Sequence, residues 1–145
     1  MKIKFHLPTF LITTLTFSLI FLAAFTFRQE DNGYLLDHEN DIARADVGPH
    51  NGGGKSTAFP FFKNFKGNKI TFRKRILHAG SSIGYHLQEE QEIYYILNGK
   101  GDLKMNGKNI PVTTGDAILT LPGSSHGIKP AGDEDLTMLI VYQNK

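Results

Sequence analysis

From Ala58 onward, short runs of β-branched and aromatic residues alternate with turn residues, and no stretch carries the spacing of an amphipathic helix. The runs predict strands at Ala58–Asn64, Ile70–His78, Ser82–Leu87, Glu92–Asn98, Gly101–Met105, Lys108–Val112, Ala117–Leu121, Gly127–Lys129 and Leu136–Tyr142. Asn98-Gly99, Asn106-Gly107, Gly115-Asp116 and Pro130-Ala131-Gly132 separate several of them. Such pairs favour the tight turns that join antiparallel strands. Many short strands at this spacing predict an all-β barrel or sandwich.

Two different patterns come before the barrel. Residues 7–27, LPTFLITTLTFSLIFLAAFTF, carry no charge, follow a basic start with Lys2 and Lys4, and end at Arg28. The run reads as a cleaved signal peptide or as a retained N-terminal membrane anchor, since about 21 apolar residues also suffice to cross a bilayer. Both readings place the domain outside the cytoplasm, as a periplasmic, secreted or anchored protein. Residues 28–57 are polar and turn-rich and read as a flexible linker or arm, with little regular structure before Gly54. The expected organisation is thus a leader at 1–27, an arm at 28–57 and a β-barrel at 58–145. Within the arm, His50-Asn51-Gly52-Gly53-Gly54-Lys55-Ser56 has a superficial likeness to a phosphate loop. Pro49 stands where that pattern needs glycine, so the segment reads as a flexible approach to the barrel.

Charge and composition narrow the function classes. The formal net charge is +2. Lys2 and Lys4 supply that excess, and the rest of the chain is balanced. A balanced domain does not present a nucleic-acid-binding surface, and the basic run Arg73-Lys74-Arg75 reads as a solvated strand face. There is no cysteine, which excludes disulfides, thiolate ligands and a thiol nucleophile.

The chemistry gathers in GSSIGYHLQEEQEIYYILNGKG, Gly80 to Gly101. Strand alternation puts His86 and Gln88 on one face and Glu92, Tyr94 and Ile96 on another common face. A hairpin through Glu89-Glu90-Gln91 would let His86, Gln88 and Glu92 converge on one interior. Tyr94 faces that interior by parity, either orienting a ligand or packing the core. Glu89 and Glu90 read as a solvated loop, and His78 as a surface or edge residue. Ser124-Ser125-His126 lacks the strand-to-helix elbow of a serine hydrolase.

These residues resemble the cupin superfamily, as a small single-domain, conserved-barrel member. Its first motif runs glycine, five residues, H-x-H, three or four residues, glutamate, six residues, glycine. Here the positions are Gly80, His86, Gln88, Glu92 and Gly99, with Gln88 in place of the second histidine. The second motif is matched by Gly115, Pro122, Gly123 and His126, with Leu121 and Pro130 replacing the usual proline and asparagine. The resemblance covers about Phe59 to Tyr142 and implies a double-stranded β-helix, or jelly-roll barrel, with a cavity at one mouth. It implies that His86, Gln88, Glu92 and His126 bind one divalent metal ion: Zn, Fe, Mn, Ni or Cu. Imidazole and carboxylate suit all of these, and the amide oxygen of Gln88 is a weaker, neutral donor. Cupin-like phosphomannose isomerases also include a glutamine among their zinc ligands. The implied function is isomerase- or oxygenase-like action on a small oxygen-rich molecule, such as a sugar or carboxylic acid. The alternative is a non-catalytic cupin that binds a small ligand. No nucleic-acid partner is expected, membrane contact would come only through the leader, and a homodimer through the arm from Tyr34 to Phe62 follows by analogy.

Overall fold

The computed structural model describes residues 33–144. The apolar run at 7–27 lies outside them, and no helix among the described residues is long and apolar enough to cross a membrane. A single helical turn, α1 (Glu39–Ile42), is followed by ten strands. These are β1 (Arg44–Val47), β2 (Lys55–Phe61), β3 (Ile70–Leu77), β4 (Ile83–Leu87) and β5 (Glu92–Asn98), then β6 (Lys100–Met105), β7 (Lys108–Thr113), β8 (Ala117–Thr120), β9 (Ser125–Pro130) and β10 (Leu136–Gln143).

The strands form two antiparallel sheets, ordered β1-β2-β3-β10-β5-β8 and β4-β9-β6-β7. This is the all-β jelly-roll that the turn spacing and the cupin resemblance anticipate. Asn106 and Gly107 both adopt positive φ, 47° and 82°, as a two-residue hairpin turn between β6 and β7 demands. The core lies between the sheets, where Leu77, Ile96, Leu136 and Met138 meet Leu103, Val112 and Ile128. Alternation along β5 turns Tyr94 and Ile96 inward and leaves Ile93, Tyr95 and Leu97 on the outer face.

Three expectations need correction. First, β4 and β5 do not form a hairpin. β4 pairs with β9 and β5 with β10 and β8, so Glu89–Gln91 crosses from one sheet to the other. His86 and Glu92 therefore meet across the interior. Second, the arm is built into the fold. β1 pairs with β2 along its full length, and the anticipated boundary at 58 falls inside β2. The Asp37 carboxylate accepts from the Phe62 N–H at 2.6 Å, and Glu39 pairs with Lys74. Third, β3 does not turn its arginines to water. Arg75 is 2% exposed, donating to the Ser56 hydroxyl at 2.6 Å and pairing with Asp46 at 3.2 Å. A buried guanidinium needs such partners, and β1 and β2 supply them. Burial pulls the Arg75 pKa down, and the hydrogen bond and charge of Asp46 oppose that fall.

Candidate metal centre

Two cross-strand pairs on facing sheets build the site. β4 sets His86 opposite His126 of β9, and β5 sets Glu92 opposite Thr120 of β8. One ligand atom from each of His86, Glu92 and His126 lies within 4.8 Å of the others. The imidazole rings of His86 and His126 meet edge to face, 4.7 Å apart.

The hydrogen bonds around the rings decide which nitrogens face inward. His86 Nδ1 donates to the Gly84 carbonyl at 2.8 Å, which leaves the Nε2 lone pair free. His126 Nδ1 lies 2.6 Å from the Thr120 hydroxyl, a bond that joins the two sheets. Holding the outer nitrogen in this way is how metal-binding histidines are oriented. Glu92 Oε2 is buried without a hydrogen-bond donor and sits 3.1 Å from His126 Nε2. With the Nδ1 proton on the Thr120 side, that contact sets one acceptor against another, which a cation between them would relieve. Two imidazoles and a carboxylate are a fitting donor set for a divalent transition metal.

Tyr94 completes the buried cluster. Its hydroxyl lies 3.3 Å from His126 Nε2, close enough to Glu92 to feel that carboxylate. Burial, and then the charge of Glu92, push its pKa well above the usual phenol value, so it stays a hydrogen-bond donor.

A cavity of about 290 Å³ opens over the cluster, and His86, Gln88, Glu92 and Tyr94 help to line it. His126 is wholly buried and does not reach the cavity surface. Gln88 is buried in the wall and held by its backbone: its N–H donates to Ser124 O and its carbonyl accepts from Gly123 N–H, both at 2.8 Å. The structure thus brings His86, Glu92 and His126 together and seats Gln88 in the same cavity.

A cupin-domain family model matches residues 74–142. A crystal structure of a predicted oxalate decarboxylase from Thermotoga maritima superposes with a TM-score of 0.69 at 34% identity, over 77% of this chain and 100% of that one. The chain belongs to the cupin superfamily. The cupin also matches an oxalate-binding protein of Thermotoga maritima at 46% identity over 71 residues, 48% of this chain. That match spans 59% of the relative's length. A polyketide cyclase from Streptomyces resistomycificus shares the fold, with a TM-score of 0.64 at 19% identity over 77% of this chain and 80% of that one.

Three residues of this cupin's site escaped the sequence reading. Thr120 fixes His126, and its inward parity with Ile118 on β8 was the available signal. His50, from the supposedly flexible approach, stacks on His86 with ring centroids 3.5 Å apart and planes within 4°. Its turn is tied to β4 by a backbone hydrogen bond. His50 and Asn51 take left-handed φ of 52° and 60°, and Pro49 O accepts from Gly84 N–H at 2.9 Å. A Cβ on Gly84 would lie 2.0 Å from His50 O, so only glycine admits this approach. Burial and then the neighbouring His86 lower the His50 pKa. The third is Arg73, which lines the cavity beside Ile140 and Tyr142.

Proposed function

We propose that this cupin holds one divalent metal through His86, Gln88, Glu92 and His126 and uses it to bind a small carboxylate of the oxalate type. The observation that carries the reading is the convergence of His86, Glu92 and His126, the first two lining the cavity and His126 buried behind them, with both imidazole Nδ1 atoms occupied elsewhere. The Thermotoga maritima matches, by sequence to an oxalate-binding protein and by structure to a predicted oxalate decarboxylase, support the choice of ligand. When bound, a divalent metal would supply a Lewis acid for a carboxylate oxygen. The chain's own groups do the rest. Thr120 and Gly84 orient the imidazoles, and Tyr94 offers a proton on oxygen to an acceptor near Glu92. Glu89, Glu90 and the Pro49–His50 turn bound the mouth.

The test is metal content of the full chain by elemental mass spectrometry, with oxalate titrated calorimetrically into metal-loaded protein and into a His86→Ala/His126→Ala variant. One equivalent of metal and oxalate binding, both lost in the variant, is the expected result. No metal after reloading, or oxalate binding untouched by the double substitution, overturns it. Release of carbon dioxide from oxalate would separate a catalyst from a binding protein. The apolar run at 7–27 is proposed to export the domain, and a reporter fused after Arg28 that stays in the cytoplasm would refute this.

A further inference from the structure

Arg73 and Arg75 leave the same face of β3 two positions apart, yet their surroundings differ. Arg75 spends its guanidinium on Ser56 and Asp46. Arg73 donates to the Tyr142 hydroxyl at 2.8 Å and lies 5.5 Å from that ring's centre. Both Nε atoms are buried without an acceptor, but among the described residues no carboxylate pairs with Arg73, whereas Asp46 pairs with Arg75. Arg73 also borders a second hollow, which Phe61, Phe62 and Phe65 help to line. Its charge nevertheless reaches the metal-centre side, where it acts on both His50 and Tyr94. A partly buried cation with an unmet donor is costly unless something supplies the missing acceptor.

We infer that Arg73 anchors a second carboxylate of the ligand, so that the cavity selects small dicarboxylates over monocarboxylates. The inference rests on the metal-dependent carboxylate reading above and adds the residue that sets its selectivity. Charge balance argues the same way. A divalent ion on two neutral imidazoles, a neutral amide and one carboxylate keeps one positive charge, and Arg73 adds another. A dianion matches both. The planar fork of arginine also suits a carboxylate better than an ammonium would.

The experiment titrates oxalate, malonate, acetate and formate calorimetrically into the metal-loaded full chain, its Arg73→Gln variant and its Arg73→Lys variant, with metal content measured in each. In wild type, the dicarboxylates should bind more tightly than acetate and formate. Arg73→Gln should keep its metal and its acetate affinity while losing about ten- to a hundredfold for the dicarboxylates. Arg73→Lys, which keeps the charge without the fork, should fall between. Dicarboxylate binding unchanged in Arg73→Gln overturns the inference, as does an equal loss for acetate, which would mark Arg73 as a wall of the cavity. If Arg73→Gln fails to fold, Arg73→Lys decides by the same comparison of dicarboxylate against acetate. Wild type that binds none of the four acids defeats the proposed function itself, a different failure from a wild type that binds dicarboxylates without help from Arg73.

Discussion

The two ends of the barrel are made from the same strands and behave as different materials. β3 runs inward from Arg73 through Arg75 to Leu77, and β5 from Glu92 through Tyr94 to Ile96. β10 runs the other way, so Leu136 and Met138 lie beside Leu77 and Ile96, while Tyr142 lies beside Glu92. At the closed end apolar side chains fill the space between the sheets. At the mouth the same backbone register holds a histidine pair, a carboxylate, a phenol and an arginine. Folding free energy comes chiefly from the first end, where apolar area is removed from water. The second end spends part of it on buried polar groups whose partners are incomplete.

The sharpest way to break this contrast is to hollow the closed end. Leu136→Ala should cost about 2–5 kcal/mol, because the tightly packed sheets cannot collapse onto the missing side chain. Chemical denaturation would show it as a lower midpoint, while protein that remains folded should still take up metal. A cost under about 1 kcal/mol would mean that the closed end is not the main source of stability.

At the mouth the pattern should reverse. Thr120→Val removes the acceptor from His126 Nδ1 with little change of volume, and metal affinity should fall about 10- to 100-fold by competitive titration. Its denaturation midpoint should move much less than that of Leu136→Ala. Unchanged metal affinity would mean that the Thr120–His126 bond does not orient the imidazole.

The smallest effect tests the tie between arm and barrel. Burial alone would raise the Asp46 pKa, but the Val47 N–H and the bonded, charged Arg75 bring it below the ordinary value. A carboxyl with a depressed folded pKa contributes stability that is complete above about pH 4 and is lost as pH falls through that lower value. Wild type should therefore melt slightly above Asp46→Asn at neutral pH, and the gap should close in acid. A gap that persists in acid would assign the effect to shape rather than charge.

Much of this architecture was legible along the chain. Glu92–Asn98 was placed to the residue, since its alternation is regular and Asn98-Gly99 ends it. The Asn106-Gly107 turn and the motif spacing that singled out His86, Gln88, Glu92 and His126 were equally plain, because each depends on near neighbours. What failed was the choice of face on β3. Its outer face carries Ile70, Phe72 and Ile76, and its inner face carries Arg73, Arg75 and Leu77, so an apolar count points the wrong way. Period-two alternation divides side chains into two sets without saying which set is inside. The arm was misjudged for a related reason: its polar residues suggested a linker, while their partners Lys74 and Arg75 lay far along the chain.

By itself, the sequence determined the position of every strand but β1 to within a few residues, several of the turns, the two side-chain faces of those strands and the residue types able to hold a metal, all of which follow from local backbone geometry and donor chemistry. Only the tertiary structure decided that β4 pairs with β9, that Thr120 reaches across to His126, that His50 stacks on His86 and that Arg73 enters the cavity. Those are contacts between distant segments, chosen when the two sheets close on a common core and most buried polar groups find a partner.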